Sequence, residues 1–411
     1  MLLQFSVENF LSIKERITLS MVASKDKSLN QNIIKINKIS LLKSAAIYGP
    51  NASGKTNILR AISFLFDLIK TSHTYQPNQS IFITPFRLDS TYEGKPSKFE
   101  IILILDNIKY IYGVALDEEK IYDEYLYFYP KGRPSIIFDR TGTNNYKFTK
   151  DVKRQNDIKI NTPDNTLYLS KSANLNYEPT FKIIKQLIDN ITIIIDQDMY
   201  LTYTYGSFTK DVLTKKGAIK DNIKKLVRKA DKGIVALEVV KQELSDDFAK
   251  GFPQEFRDFM IDEESRIVET THMGLDERGD QIRVSFGLSD EAGGTKRIFN
   301  MAGPFIDVLS SGKLLVIDEI ETSLHPNLVR HLINVFNNPE FNKKGAQLIF
   351  ATHNTSLLRF NILRRDQVWL AEKKPDQSTD LRSVFEYKAR KGENIEKGYL
   401  SGRYGALPIL D

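Results

Sequence analysis

The chain has 411 residues, of which 41% are hydrophobic and 27% charged, and this mixture is typical of a globular protein that buries a sizeable core. It contains no cysteine, which excludes disulfides, thiolate zinc sites, iron–sulfur clusters and cysteine nucleophiles. No apolar run reaches the roughly eighteen residues of a membrane span, and Glu8 comes too early for a secretory signal. We therefore expect a cytoplasmic protein with no membrane partner.

The first seventy residues predict a β-rich start followed by one strand–loop–helix unit. Apolar residues alternate over Leu3–Phe10 and again over Ile17–Val22, as is typical of strands. Ser44–Tyr48 is a short apolar run, as expected of a buried parallel strand. Thr56–Lys70 has the apolar spacing of a helix.

The next region predicts an antiparallel meander and then a change of character. The β-rich runs are Phe99–Leu105, Ile108–Leu116, Ile121–Tyr129 and Pro134–Phe138. After Asn145, short helical patterns are separated by polar and lysine-rich stretches. These patterns are Phe181–Ile188, Asn222–Val227 and Phe256–Ile261. We expect an inserted, mainly helical lobe with boundaries near 145 and 268.

The last third predicts a return to alternating strands and helices. Buried strands are expected at Leu314–Ile317 and Gln347–Ala351, with a helix at Pro326–Phe336 between them. Strand–helix–strand order implies a parallel α/β sheet. The predicted domain segments are 1–145, 146–268 and 269–411.

A complete phosphate-binding pattern, G-x-x-x-x-G-K-[ST], occupies residues 49–56 as GPNASGKT. Backbone N–H groups must wrap around phosphate oxygens in such a loop, so glycines are needed where side chains would collide. Lys55 is expected to reach the β- and γ-phosphates of ATP, and the Thr56 hydroxyl to ligate Mg²⁺. The predicted nucleotide-binding residues of this loop are Gly49, Asn51, Ser53, Gly54, Lys55, Thr56 and Asn57.

Two acids follow the predicted strand Leu314–Ile317. Open α/β sheets bind ligands at the carboxyl edge of their strands, where these acids emerge. Asp318 suits the Mg²⁺ shell, and Glu319 suits the polarisation of an attacking water. The pair is a weak signal by itself and a strong one in combination with the phosphate loop.

Two further features indicate function only in combination with the phosphate loop and the acidic pair. His353 follows the strand Gln347–Ala351 and could contact a γ-phosphate or the attacking water, although a lone histidine there is more often a structural hydrogen-bond partner. Gly293, Gly294 and Thr295 form a turn before an apolar helix. Such a turn can present N–H groups to an anion.

A basic window lies inside the predicted helical lobe. Residues 210–232 contain nine Lys/Arg and three Asp, an excess equal to the whole chain's net charge of +6. The window could bind phosphate backbones or an acidic partner, and it is equally compatible with a solvated helix face.

The order of these motifs resembles the ABC-type ATPase head of SMC, RecF and OLD-like proteins. Within that clade, the chain looks like the AAA-type ATP-binding proteins of bacterial abortive-infection and related anti-phage gene pairs. The segments that carry this closer match are 7–12 (VENFLS), 230–234 (ADKGI), 317–326 (IDEIETSLHP) and 399–408 (YLSGRYGALP). The resemblance implies an α/β fold: an ABC-type P-loop ATPase head with an antiparallel β subdomain and an inserted helical lobe.

The resemblance also implies roles and partners. Glu319 would be the catalytic base, His353 the switch histidine and Ser323–His325 the D-loop, while Lys55 and Asp318 would hold phosphate and metal. In such heads, nucleotide lies between two subunits, so residues 292–297 would act on the partner's ATP. This implies an ATP-dependent head-to-tail homodimer or an assembly of such dimers.

One departure from the family pattern bears on the rate. The signature turn usually reads Ser-x-Gly-Thr, and Ala292 stands in place of the serine. A hydrogen bond to a charged group contributes about 1.5–3 kcal/mol, so we expect slow hydrolysis. The N–H groups of Gly293 and Gly294 remain, and Thr295 offers a substitute hydroxyl. No Q-loop glutamine is placed, although Gln79 lies in the matching region.

The expected function is a Mg-ATP-binding, slowly hydrolysing subunit of an anti-phage or abortive-infection system. It would act as a sensor or scaffold for a separate effector encoded nearby, because the 58 residues after His353 are too few for the Toprim-type nuclease domain of the related OLD nucleases. Two alternatives stay open. One is a RecF-like DNA-repair ATPase that binds duplex DNA through residues 210–232, and the other is a nucleotide-bound scaffold without turnover.

Overall fold

The computed structural model describes residues 1–195, 205–215, 217–241, 266–359, 361–387 and 394–405. The chain divides into two compact units. The first comprises Met1–Ile195, Ser311–Ile320 and Arg330–Asp411, and the second comprises Asp196–Ser310 and Glu321–Val329. The predicted helix 256–261 and the end of the 399–408 segment lie outside the described residues. The three predicted domain segments stay a prediction.

The described helices and strands follow a strand-rich, helix-poor order up to residue 151 and a mixed order afterwards. The helices are α1 (Lys55–Thr71), α2 (Val152–Ile160), α3 (Tyr168–Asn174), α4 (Glu178–Asp189), α5 (Ser207–Thr214), α6 (Ala218–Ala230), α7 (Gly293–Ser311), α8 (Pro326–Asn337), α9 (Ser356–Arg359) and α10 (Ile395–Leu400). The strands are β1 (Leu2–Glu8), β2 (Ile17–Ser20), β3 (Ile33–Ile36), β4 (Ile39–Leu42), β5 (Ser44–Tyr48), β6 (Ser97–Leu105), β7 (Ile108–Leu116), β8 (Ile121–Tyr129), β9 (Ser135–Thr141), β10 (Asn145–Phe148), β11 (Ile191–Ile194), β12 (Ala236–Lys241), β13 (Arg266–Leu275), β14 (Gln281–Gly287), β15 (Leu314–Ile317), β16 (Gln347–Ala351), β17 (Val368–Lys373) and β18 (Thr379–Ser383).

The first unit contains a seven-stranded antiparallel sheet in the order β10-β9-β8-β7-β6-β1-β2. Strands β6 to β9 pair in sequence order, which confirms the predicted meander. The N-terminal strand β1 pairs with both β2 and β6 and so extends the meander at its edge. The predicted antiparallel subdomain is therefore larger than the meander alone.

The same unit contains a six-stranded sheet in the order β11-β15-β16-β5-β17-β18. All neighbouring strands are parallel except β17 and β18. Strands β5, β15 and β16 have the predicted bounds and are buried along their whole length. Helix α1 covers the predicted range and packs its apolar stripe into one core that also includes residues of both sheets. The predicted α/β class is confirmed.

A buried ion pair joins the antiparallel sheet to helix α3. Arg140 and Glu124 are both fully buried, with Nη1 and Oε2 3.8 Å apart. The Glu124 carboxylate accepts hydrogen bonds from the N–H groups of Tyr168 and Leu169 at the start of α3, at 2.6 and 2.9 Å. Arg140 donates to three loop carbonyls nearby, those of Thr143, Asp164 and Thr166. The pair is thus fully hydrogen-bonded, as a buried pair must be to be tolerated.

The second unit combines helices α5, α6 and α7 with a three-stranded antiparallel sheet in the order β12-β13-β14. Helix α6 confirms the predicted helix at 222–227 and extends it at both ends. Strands β13 and β14 were not predicted, since most of their residues are polar or partly exposed on both faces. The insertion is therefore not helical throughout.

Candidate nucleotide-binding site

Three neighbouring strands bring the predicted catalytic motifs to one edge of the parallel sheet. In the order β15-β16-β5, Ile317 lies opposite Phe350, and Phe350 lies opposite Ala46. The residues that follow each strand therefore emerge at the same level. Adjacent strands are about 4.8 Å apart, so the acidic pair after β15 and the loop after β5 are separated by about two strand widths.

The phosphate loop requires glycine at two positions. A Cβ on Gly49 would lie 2.6 Å from the Ser53 hydroxyl. Gly54 has φ of 101° and caps α1, and a Cβ there would lie 2.9 Å from the Ser12 hydroxyl and closer still to Thr379. The loop is therefore too tightly wound to accept side chains at these two positions, and it leads directly into the N-terminus of α1. A tight loop of backbone N–H groups followed by a helix N-terminus is the arrangement that binds a phosphate group.

Two polar groups inside the cradle have the chemistry to hold phosphate. Lys55 is buried, and its Nζ donates to the carbonyls of Gly49 and Pro50, each at 3.0 Å. The Ser53 hydroxyl is buried and has no hydrogen-bond partner among the described residues. A buried hydroxyl without a partner is costly, and a phosphate oxygen would satisfy it. The residues present therefore fit a bound nucleoside triphosphate.

The back of the loop is held by residues from distant parts of the chain. The Thr379 hydroxyl donates to the Ser53 carbonyl at 3.0 Å and lies 2.8 Å from the Ser12 hydroxyl. Asn57 Nδ2 donates to Ser12 at 2.7 Å. The predicted nucleotide-binding residue Asn57 thus contacts the VENFLS loop through its side chain. No motif in the sequence pointed to Thr379.

The other predicted residues of the loop lie at its exposed rim or at the start of α1. Asn51 is exposed, and Thr56 is half-buried in the first turn of the helix. Ala52 has φ of 61°, which is unusual for a residue with a side chain. Strained backbone of this kind is common at ligand-binding loops.

The acidic strand end separates its two carboxylates. Asp318 is 7% exposed, and its Oδ1 accepts a hydrogen bond from the N–H of Glu319 at 3.1 Å. Glu319 has φ of 45° and an exposed side chain. The left-handed residue turns the chain sharply, so that Asp318 stays inside while Glu319 points to solvent. A buried carboxylate suits a metal ligand, and an accessible one suits a proton acceptor.

The predicted switch histidine follows the strand between the other two motifs. His353 is exposed directly after β16, whose neighbours are β15 and β5. The turn is held by a hydrogen bond from Thr352 N to the Ile47 carbonyl at 3.1 Å and by one from Asn354 N to the Thr352 hydroxyl at 3.0 Å. The parallel sheet therefore brings His353, Asp318, Glu319 and the phosphate loop to one edge.

The predicted signature turn lies in the second unit at the start of α7. Ala292 and Gly293 are exposed, and a Cβ on Gly294 would lie 2.7 Å from the Ser323 carbonyl. Thr295 is buried, and its hydroxyl donates to Asp231 at 2.8 Å. For Thr295 to contact a partner's nucleotide, this bond would have to break. The accessible part of the turn is the backbone at Ala292 and Gly293.

A phosphate loop, a buried metal-type carboxylate, an accessible acid and a histidine turn meet at one edge of an α/β sheet that shares its core with a large antiparallel sheet. This combination is characteristic of the ABC-type P-loop fold. The chain belongs to the family described as "AAA domain, putative AbiEii toxin, Type IV TA system", whose model matches residues 44–359.

The solved structures that are similar to the chain include two Smc heads. One is an Smc head bound to the C-terminal winged-helix domain of ScpA, with 13% identity and a TM-score of 0.42, covering 93% of this chain and 97% of the other. The second is an Smc head with an extended coiled coil bound to the C-terminal domain of ScpA, from Pyrococcus furiosus, with 14% identity and a TM-score of 0.44, covering 98% of each chain. No curated protein matches the chain significantly. Among the described helices, none is both long and apolar enough to cross a bilayer.

Proposed function

We propose that the chain is a slow Mg-ATP-dependent ATPase that switches a separate effector in an abortive-infection gene pair. The observation that carries the proposal is the meeting of the phosphate loop, Asp318, Glu319 and His353 at the edge of three adjacent strands. Family membership adds the biological context. The effector would be a separate protein encoded nearby.

The chemistry follows from the placement of each group. Lys55 would neutralise charge on the phosphates, and the buried Ser53 hydroxyl would donate a hydrogen bond to a phosphate oxygen. Thr56 and Asp318 would hold Mg²⁺. The bound metal would neutralise charge that develops on the phosphate oxygens. Glu319 is accessible and would accept the proton of the attacking water, while His353 would donate a hydrogen bond beside it.

The active form in this proposal is a head-to-tail dimer. The accessible N-terminus of α7 at Gly293 would direct N–H groups at the partner's phosphates. Ala292 provides no hydroxyl, and the Thr295 hydroxyl is occupied by Asp231. Closure of the dimer would therefore be weaker than with serine, and turnover correspondingly slow.

The dimer is tested by measuring molar mass with and without Mg-ATP. Glu319→Gln should bind ATP and dimerise in ATP but not in ADP, whereas Lys55→Ala should stay monomeric in both. ATP binding that is insensitive to Lys55→Ala would overturn the proposed site. For the effector, the neighbouring gene is co-expressed with each variant. A growth effect that does not depend on Lys55 or Glu319 would contradict the switch.

A nucleotide-gated scaffold with very rare turnover is the second candidate. Ala292 and the engaged hydroxyl of Thr295 both favour it, since neither provides the missing signature contact. A wild-type scaffold of this kind would dimerise in ATP. Glu319→Gln would then change neither the dimerisation nor the rate of ATP hydrolysis.

A further inference from the structure

The chain folds back on itself directly after helix α10. The N–H of Gly402 donates to the Tyr399 carbonyl at 2.9 Å, and the N–H of Arg403 donates to the Gly398 carbonyl at 3.1 Å, which is the Schellman pattern of a helix end. Gly402 has φ of 75°, a conformation that glycine adopts without strain. The cap turns the chain so that Tyr404 lies against Gly398, where a Cβ would be 2.7 Å from the tyrosine ring.

The folded-back end is anchored to neighbouring parts of the first unit. The rings of Tyr404 and Tyr387 meet edge to face with centroids 5.6 Å apart. Gly405 has φ of 70° and lies so close to Glu372 of β17 that a Cβ would collide with the carboxylate. Helix α10 is therefore held in place from the end that follows it.

Helix α10 packs against the strand that leads into the phosphate loop. The rings of Tyr399 and Tyr48 have centroids 6.0 Å apart and an interplanar angle of 62°. Tyr48 is fully buried at the last position of β5, directly before Gly49. Ile47 belongs to the core that includes α1, and successive side chains of a strand point to opposite faces, so Tyr48 faces the other side of the parallel sheet.

Two consecutive residues of β5 hold the chain on both sides of His353. The Thr352 N–H donates to the Ile47 carbonyl at 3.1 Å, one residue before the histidine. The Tyr48 hydroxyl donates to the Asn354 carbonyl at 3.4 Å, one residue after it. Helix α9 begins two residues beyond Asn354 and contacts α10. The histidine turn is thus supported from behind by β5 and by α10.

We propose that Tyr48 and Tyr399 are positioning residues for His353. The Tyr399 ring fixes the Tyr48 ring, and the Tyr48 hydroxyl fixes the peptide group that follows the histidine. A group that assists catalysis must be held within about 0.5 Å of its productive position. The inference rests on the proposed function, because it assigns a support to the histidine proposed there. It also gives the YLSGRYG segment a role in the site.

The first test compares steady-state turnover and ATP affinity in variants of the two tyrosines. Tyr48→Phe removes only the hydroxyl and should lower kcat about twofold to tenfold, while the dissociation constant of ATP stays within about twofold of wild type. Tyr399→Ala should lower kcat at least as much. The matched controls are Tyr127→Phe, which removes a tyrosine hydroxyl from the antiparallel sheet, and Leu400→Ala, at an exposed neighbour of Tyr399. Weaker ATP binding with an unchanged kcat would overturn the proposal.

A double-variant cycle with His353→Ala separates positioning from a general structural effect. Tyr48→Phe should cause no further loss of turnover once His353 is absent. The same fractional loss in both backgrounds would show that Tyr48 acts elsewhere. If His353→Ala keeps wild-type turnover, the proposed role of the histidine fails and this inference fails with it. If His353→Ala slows turnover and neither tyrosine variant does, only this inference fails.

Hydrogen exchange measures the support without relying on turnover. Amides of residues 352–359 should exchange faster in Tyr399→Ala than in wild type and Leu400→Ala, and those of strand β7 should be unchanged. Equal exchange over 352–359 in wild type and Tyr399→Ala would overturn the proposal whether or not the protein hydrolyses ATP. Faster exchange with no turnover in the wild type would count against the proposed ATPase and would support the contact between α10 and the histidine turn.

Discussion

The Thr379 hydroxyl donates a hydrogen bond to the Ser53 carbonyl inside the phosphate loop, across 326 residues of sequence. The same hydroxyl lies 2.8 Å from the Ser12 hydroxyl, and the Thr379 N–H donates to the Ser12 carbonyl at 2.7 Å. The β17–β18 hairpin and the loop after β1 therefore clasp the phosphate loop from behind. Because the loop is already ordered, ligand binding does not carry the entropic cost of ordering it.

Thr379→Val should weaken Mg-ATP binding without unfolding the protein. The change removes the hydroxyl and keeps the shape, and a neutral hydrogen bond contributes about 0.5–1.5 kcal/mol, or roughly a twofold to tenfold change in the dissociation constant. Titration calorimetry measures it. Thr141→Val, on an exposed strand position, is the control. An unchanged dissociation constant in Thr379→Val would mean that the clasp does not support binding.

Ala292→Ser should accelerate ATP turnover. The serine would restore the hydroxyl of the usual signature, at an exposed position where it has room. A hydrogen bond to a charged phosphate is worth about 1.5–3 kcal/mol, so an increase of about tenfold or more is expected. Steady-state phosphate release measures it, with Ser289→Ala as a nearby control. A rate that stays at the wild-type value would show that the missing hydroxyl does not limit turnover.

Mg-ATP should raise the melting temperature of the wild type but not that of Lys55→Ala. A ligand at a hundredfold its dissociation constant stabilises the folded state by about 2.7 kcal/mol. For the first unit, which has nearly 300 residues, the shift in melting temperature is about 4–5 °C. Chelation of Mg²⁺ should remove much of it, because Thr56 and Asp318 are the proposed ligands of the metal. Equal shifts in wild type and Lys55→Ala would place the nucleotide elsewhere.

Arg140→Met should destabilise the first unit by about 3–5 kcal/mol, because Glu124 would keep a buried charge without its partner. Burial already raises the pKa of Glu124, partly offset by Arg140, and loss of Arg140 raises it further. The folded state then holds a proton that the unfolded state releases, so the variant should lose stability as the pH rises through that pKa. Urea unfolding at pH 5 and pH 8 measures this.

The double variant Glu124→Gln/Arg140→Met is the control for that experiment. It removes both charges, so most of the additional loss of stability at pH 8 should disappear. A double variant as pH-sensitive as Arg140→Met would show that another group titrates.

The buried parallel strands were predictable because both of their faces are covered. Ser44–Tyr48, Leu314–Ile317 and Gln347–Ala351 are almost continuously apolar, and each has the predicted bounds. Strands β13 and β14 were missed since their mixed, partly exposed residues carry no clear period. Hydrophobic periodicity arises because one face of an element is buried, so a largely exposed hairpin has no clear hydrophobic pattern in its sequence.

The motif residues could be recognised in the sequence, but the residues that hold them in place through hydrogen bonds could not. Lys55, Asp318 and His353 belong to short patterns whose strand and helix context can be read locally. Thr379 and Asp231 each make a hydrogen bond to a partner far along the chain, Ser53 at a separation of 326 residues and Thr295 at a separation of 64. No local pattern encodes such a pairing, because it depends on how distant segments pack.

The most direct test of the ATPase is steady-state ATP hydrolysis by the wild type and Glu319→Gln, with Glu340→Gln as the control at another exposed acid. Loss of the proposed general base should lower turnover by about a hundredfold to ten-thousandfold while ATP still binds, and the control should match the wild type. Measurable turnover that is equal in wild type and Glu319→Gln would contradict the assignment of Glu319 and of the catalytic edge around it.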